Sequence, residues 1–285
     1  MKSVVITGAS TGIGRTTAEY LAQKGWKVFA GVRKAEDGEP LVKAHPSIQP
    51  IIIDVTQPDQ IEAAASSVRT ALDGEKLSGL INNAGIAVMG PLAIQPFETI
   101  KLHFDVHVLG TIAVTQAFLP DLGMNTELTG APGRIVNISS FGGRLASPFL
   151  GAYCAAKHAI ESLTHSMRRE LLLFGIDAIV VAPGAIKTPI WDKAEEEEKK
   201  QPYKGTPWET SIEKYNDMFM EAGRNGFAPE RVAETIETAL TDPTPKAHYA
   251  LGPDKLVNYE IAQRLPERWV DKGMGKRFEL LPEGS

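Results

Sequence analysis

The chain has 285 residues, 43% of them hydrophobic and 23% charged, with a formal net charge of −5 at pH 7 and a single cysteine. That composition belongs to a globular protein long enough to bury one large core, and its mild acidity argues against a nucleic-acid partner or an anionic membrane surface. Cys154 has no internal disulfide partner, the first residues show no secretory pattern, and no apolar run approaches the roughly 18 residues of a membrane span, so a soluble cytoplasmic protein is expected.

Strand-like and helix-like patterns alternate from the start, which predicts a parallel sheet covered by helices. The apolar run Ser3–Ile6 is followed by Thr7-Gly-Ala-Ser-Thr-Gly-Ile-Gly14 and then by a helical period at Ile13, Ala18, Leu21 and Ala22. Glycines where a first strand hands over to a helix let backbone N–H groups face a pyrophosphate. The spacing is neither Gly-x-Gly-x-x-Gly nor a P-loop, and a purely structural turn is the alternative; position at the first strand–helix junction favours the dinucleotide.

The second strand, Lys27–Val32, ends in Arg33-Lys34, where dinucleotide folds usually present a carboxylate to the adenosine ribose. A guanidinium there pairs with a 2′-phosphate, with Ser10 and Arg15 as further donors, so NADP(H) is favoured over NAD(H). Lys34 reads equally well as a solvated cation. A third strand, Ile48 to Val55, carries Asp54 at its carboxyl end, either an acceptor for the adenine amino group or a plain loop carboxylate. The fourth, Leu77 to Asn82, runs into Asn82-Asn-Ala-Gly85, a turn whose role is chiefly structural with cofactor contact secondary.

A long helical pattern from Phe97 to about Leu119 carries His103 and His107 at i, i+4. With no carboxylate to complete a zinc motif they read as hydrogen-bonded helix histidines, and no metal is expected. After the strand Arg134–Ser140 comes Gly151-Ala-Tyr-Cys-Ala-Ala-Lys157, which stacks Tyr153 and Lys157 on one helix face. An ammonium beside a phenol favours the phenolate, bringing a group whose pKa is ordinarily about 10 toward neutrality, as a general acid/base requires. His158 points off that face.

Together, Thr7-Gly-x3-Gly-Ile-Gly14, Asn82-Asn-Ala-Gly85, Ile138-Ser-Ser140, Tyr153-x-x-x-Lys157 and Pro183-Gly-Ala-Ile-Lys-Thr188 resemble the short-chain dehydrogenase/reductase family in its compact form, from about Lys2 to Thr188. The resemblance implies an α/β, doubly wound Rossmann-type fold with a seven-stranded, mostly parallel sheet and helices on both faces. It makes Tyr153 the acid/base, Lys157 its pKa-lowering and ribose-binding partner, and Ser140, at the family's usual interval before the Tyr, the group that holds the substrate oxygen. Ser139 then faces the other way, since neighbouring strand side chains alternate. The cofactor is implied against Gly8, Ser10, Thr11, Gly12, Ile13 and Gly14, against Arg33, Asp54 and Val55, against Asn83, Ala84 and Gly85, and, on the nicotinamide side, against Pro183, Gly184, Ile186 and Thr188. His107 stands where the family usually has an Asn that orients a water toward the Lys. Imidazole also donates and accepts, so a relay with altered pH behaviour is expected.

Beyond Thr188, the Ile190-Trp191 pair, the Glu195–Lys200 charge run and the aromatic and Met residues from Tyr203 to Met220 form an insertion, about 189–228, that covers the substrate in this family. Leu145 and Phe149 are candidate substrate contacts beside Ser140 and Tyr153. A helix at Val232–Leu240, a strand at His248–Leu251 and a helical segment Leu256–Leu265 complete one domain over 1–285. The expected reaction is NADP(H)-dependent interconversion of an alcohol and a ketone or aldehyde on an apolar steroid-, retinoid- or lipid-like substrate, in a homodimer or homotetramer. A catalytically weak nucleotide-binding regulator, or a dehydratase or epimerase on the same fold, is the alternative.

Overall fold

The computed structural model describes residues 1–189, 202–253 and 256–282; Ile190, Trp191 and the Glu195–Lys200 run lie outside the described residues. Seven strands, β1 Ser3–Ile6, β2 Lys27–Val32, β3 Ile48–Ile52, β4 Gly79–Asn82, β5 Arg134–Ile138, β6 Asp177–Pro183 and β7 His248–Leu251, form one sheet in the order β3-β2-β1-β4-β5-β6-β7. Every pairing is parallel. The inner strands are short and buried on both faces, which is why their sequences read as continuous apolar runs rather than alternations. Strand order reverses between β1 and β4, and that switch point opens the ligand crevice at the strands' carboxyl ends.

Alternation along each strand divides the core in two. Val4 and Ile6 face α1 (Gly12–Gln23) and α8 (Glu230–Thr241), where Leu21, Val232 and Ile236 are buried. Val5 and Phe29 face the other side, against α3 (Pro58–Leu72) and α5 (Gly110–Leu119). The remaining α-helices among the described residues are α2 (Glu39–Ala44), α4 (Phe97–Phe104), α6 (Gly151–Glu170), α7 (Glu209–Arg224) and α9 (Glu267–Arg277). A third cluster lies off the sheet and joins Phe149, Leu150 and Cys154 to Tyr215 of α7 and to Phe278.

Several expected boundaries shift. β3 and β5 occupy Ile48–Ile52 and Arg134–Ile138, ending before the apolar runs do because the chain leaves the ladder to reach the crevice, whereas β4, Gly79–Asn82, starts late at its amino end, where Leu77 N bonds Asp121 O at 2.8 Å. One further bond each, Ile53 N to Val32 O at 2.9 Å and Ser139 N to Val181 O at 2.7 Å, holds the departing ends. The long helix is interrupted by a π-helical turn, Asp105–Leu109, between α4 and α5, and by a second one at Pro120–Met124. Contrary to the reading that no run is apolar enough, the stretch Phe97–Met124 has the length and composition to cross a membrane. Here it lies along the sheet, with Val114, Phe118 and Leu122 in the core. Segment 256–265 is a π-helical turn at Leu256–Ile261 followed by a short 3-10 turn at Ala262–Arg264, and Pro266 restarts the chain as α9, which the sequence pattern did not disclose.

Candidate active site

The turn from Thr7 to Gly14 is shaped by contacts that tolerate no side chain. Gly8 and Gly12 sit at φ +66° and +57°, left-handed values that favour glycine. A Cβ at Gly14 would lie 2.3 Å from Gly8 O and 2.4 Å from Asn83 Nδ2, and one at Gly8 2.8 Å from Ala84 Cα. Asn83 Nδ2 donates to Thr7 O and Gly8 O at 2.9 and 3.0 Å, while Asn83 N and Ala84 N donate to Thr7 Oγ1 at 3.0 and 3.1 Å. The Asn83 amide is therefore committed to the turn, and what it leaves for a ligand is the α1 N-terminus. The Thr11 side chain makes no capping bond there, so the first amides of α1 form a cradle that fits a pyrophosphate. Across the crevice, Thr188 stands 3.3 Å from where a Gly12 Cβ would be, which brings the loop after β6 and the glycine turn together.

At the adenosine end Arg33 is exposed just beyond the end of β2, free of any ion pair among the described residues, whereas Arg15 is paired with Glu19 at 2.8 Å and Lys34 with Glu36 at 3.4 Å. Asp54 Oδ1 accepts from Thr56 N and Oγ1 at 2.9 and 2.7 Å, a local turn that fixes the carboxylate at the strand end. Val55 is buried under α5, where Gly110 allows the helix backbone to approach Val55 O; a Cβ at 110 would come within 2.8 Å of it.

Tyr153, Lys157 and Ser140 converge at the other end. Ser140 N-caps the short 3-10 turn Phe141–Gly143, its Oγ accepting from Gly142 N at 3.1 Å, and it stands beside the Tyr153 ring, since a Cβ on Gly142 would lie 3.4 Å from Tyr153 Cε1 and 3.7 Å from Ser140 Oγ. Ser139, as alternation requires, points away, its Oγ 2.4 Å from where a Gly143 Cβ would lie. Lys157 is 5% exposed and donates from Nζ to Ile138 O at 2.7 Å, with the Tyr153 ring centroid 5.7 Å away.

This geometry corrects the electrostatic reading of the pair. Burial pushes the Tyr153 phenol up to about 12, with the Ser140 hydroxyl opposing it, and burial brings Lys157 down from 10.5 to about 7. Spacing put the two groups on one face, but the ammonium is turned to a backbone carbonyl and desolvation dominates both.

His107 also differs from expectation. Its Nε2 lies 2.8 Å from Ile86 O and 3.2 Å from Ile86 N; the shorter contact makes Nε2–H a donor to the carbonyl and leaves Nδ1, buried and without a partner among the described residues, as an acceptor. Burial and the neighbouring Lys157 hold it well below 6.5, so it stays neutral and adds no ionisation of its own near neutral pH. His103 stacks on it at 5.9 Å and reaches Val88 O, and both rings meet Tyr153 edge-on at 6.2 and 5.5 Å. Gly85 is required by this packing, since a Cβ there would lie 2.6 Å from His107 Cε1.

Gly184 and Ile186 follow β6; a Cβ at Gly184 would strike the Phe141 ring at 2.7 Å, and Ile186 is buried. Leu145 is half-buried beyond the Ser140 turn. Phe149, at φ +62°, is buried and packs edge-on against Tyr215 at 5.6 Å, so its ring is committed to α7. Sequence reasoning missed a cluster behind Ser140 in which Arg144, His248 and Tyr259 gather about the buried Glu161. The only available signal was Glu161, which continues the i, i+4 face of Tyr153 and Lys157.

Residues 2–199 match the short chain dehydrogenase family. Over its full length and that of the relative, the chain is 32% identical to an NADPH-dependent 3-dehydrocapnine reductase of Ornithobacterium rhinotracheale. It is 33% identical to retinol dehydrogenase 7 of Rattus norvegicus, over 93% of this chain and 85% of that protein. Among solved structures, a short chain dehydrogenase/reductase from Burkholderia phymatum in complex with NAD superposes with a TM-score of 0.77, at 26% identity and 95% coverage of both chains.

Proposed function

The chain belongs to the short-chain dehydrogenase family, an NAD(P)-dependent oxidoreductase acting on alcohol or carbonyl groups, and from that premise we propose that it is an NADP(H)-dependent reductase of apolar ketones or aldehydes with Tyr153, Ser140 and Lys157 as its catalytic residues. The observation that carries the reading is the meeting of these three side chains beside the α1 cradle. Ser140 Oγ and Tyr153 Oη bind the carbonyl oxygen and take up the negative charge that grows on it. Tyr153, protonated throughout the working pH range with its phenol at about 12, then donates its proton to the alkoxide, which suits reduction. Lys157 holds the ribose, and His107 Nδ1 accepts from a water behind it. The cradle, Arg33, Asp54, Thr188 and Ile186 hold the cofactor, which supplies the hydride when bound.

Arg33, in no ion pair among the described residues, and the NADPH-dependent relative matched over its full length support NADP(H) over NAD(H). The aromatic cluster of α7 beside Tyr153 and the retinol- and dehydrocapnine-acting relatives support a lipid-like substrate. One catalytic domain with a covering insertion near 189–228, a cytoplasmic location and a homodimer or homotetramer complete the reading. Exposed Leu109, Leu172 and Leu173, at 58%, 73% and 82%, offer apolar surface to a second copy. A cofactor-consumption screen with NADPH and NADH side by side, against long-chain aliphatic, aromatic and steroidal ketones, tests it. Strong preference for NADH sinks the Arg33 assignment; no turnover with any carbonyl sinks the substrate class.

Two substitutions refine the assignment. Arg33→Glu replaces a charge-assisted phosphate contact with a repulsion, and should shift the ratio of kcat/KM values from NADPH toward NADH by about 10²-fold. His107→Asn keeps a donor and an acceptor near Ile86. It should change kcat by less than about tenfold and leave the pH–rate profile between about pH 6 and 9 in place, because the imidazole is neutral there. A new or missing ionisation in that profile would overturn the neutral assignment.

A further inference from the structure

Behind Ser140, side chains from four elements meet around one buried carboxylate. Arg144 Nε donates to Glu161 Oε2 at 3.0 Å, His248 Nε2 lies 3.1 Å from Glu161 Oε1, and Tyr259 Oη lies 3.2 Å from the same nitrogen. Glu161 is 5% exposed, and a carboxylate at that depth persists only with donors on its oxygens. Burial alone would raise its pKa, but the His248 and Arg144 contacts outweigh that and hold it below the usual carboxylate range.

The place of this carboxylate matters more than its charge. Glu161 sits on α6, one turn beyond Lys157 and two beyond Tyr153, and faces the turn that presents Ser140. A Cβ on Gly143 would lie 3.1 Å from Glu161 Cγ. The turn is closed by Gly143 N to Ser140 O at 2.9 Å and Leu145 N to Phe141 O at 3.1 Å, and Arg144 leaves it to reach Glu161. On the far side the Phe141 ring fits against Gly184 and Gly252 and stacks on Tyr259 at 4.7 Å. Tyr259 thereby joins the C-terminal segment to the turn, and through His248 to the same carboxylate.

We propose that Glu161 is a positioning residue, which through Arg144 and Gly143 fixes the Ser140 turn to the helix carrying Tyr153 and Lys157, and through His248 and Tyr259 makes the C-terminal segment part of the same rigid unit. The inference rests on the role given to Ser140 above. An oxygen-binding hydroxyl displaced by even a fraction of an ångström loses much of its effect, so the cluster acts on rate rather than on cofactor affinity.

A double-mutant cycle with Ser140→Ala separates this from a merely structural role. Glu161→Gln, which keeps the volume and removes the charge, should lower kcat about tenfold in the otherwise native enzyme and less than about twofold in the Ser140→Ala background, with the NADPH Kd within about twofold throughout. Arg144→Met, at a side chain 35% exposed, should show the same pattern with a smaller factor, and decides the matter if Glu161→Gln does not fold. Equal factors in the two backgrounds, an unchanged kcat, or a loss that follows the NADPH Kd would overturn the proposal. If Ser140→Ala itself leaves kcat untouched, the role of Ser140 falls and this proposal with it, a result distinct from additive losses in a Ser140-dependent enzyme.

Discussion

Tyr153→Phe should lower kcat by about 10³-fold, inside the 10²–10⁴ that a positioned acid contributes, while leaving the NADPH Kd and the thermal midpoint nearly where they are. The substitution removes one oxygen from a ring whose packing is set by others. His103 and His107 meet it edge-on and Lys157 lies over it, and all three contacts survive in Phe. What disappears is the proton donor beside Ser140. Because burial already drives the phenol up to about 12, its hydroxyl is poorly solvated, and removing it costs little stability. Single-turnover rates with NADPH and a responsive ketone, alongside equilibrium cofactor binding by fluorescence, measure the two expectations separately. A variant that keeps more than about a tenth of the native rate would place the acid elsewhere. One that loses cofactor binding in proportion to rate would make Tyr153 a binding residue.

The fold and one half of the site were legible because local chemistry dictates them. Gly8 and Gly14 are forced by backbone that passes within van der Waals contact and Gly12 by its left-handed φ of +57°, and such glycines stand out in any sequence. The choice of Ser140 over Ser139 comes from the family's interval before the Tyr, alternation adding only that one of the two can face the site, and the Tyr153–Lys157 face comes from helical period. Three features were not legible. The π-helical turn at Asp105–Leu109 that sets His107 against Gly85 leaves no periodic trace, because one extra residue in a helix looks like ordinary drift of the apolar stripe. The partnership of Glu161 with His248 spans 87 residues and exists only once β7 lies beside β6. The acid–base balance of the Tyr–Lys pair was misjudged because spacing reports proximity and not solvation. Two groups one turn apart suggested mutual stabilisation of charge, whereas burial acts on each alone and displaces Lys157 further than Tyr153.

That displacement yields an opposed pair of effects at Lys157. Lys157→Met should reduce kcat/KM by about 10³-fold, since on the proposed reading it removes the group that holds the cofactor's ribose beside Tyr153. The same variant should be at least as stable as the native chain at pH 7. The buried lysine titrates at about 7 in the folded protein against 10.5 ordinarily, and at roughly 1.4 kcal/mol per pH unit that burial costs more than the 1–3 kcal/mol, in order of magnitude, of leaving Ile138 O without its donor. Between about pH 7 and 10.5 the unfolded chain binds a proton that the folded chain does not, so native stability rises with pH through that window and the full cost remains below it. Methionine has no such proton. The stability advantage of Lys157→Met should therefore be largest near pH 6 and shrink steadily toward pH 9, as urea unfolding of both proteins across that range would show. A difference that is independent of pH would mean that Lys157 keeps its ordinary pKa and its charge in the folded chain, and that burial does not govern it.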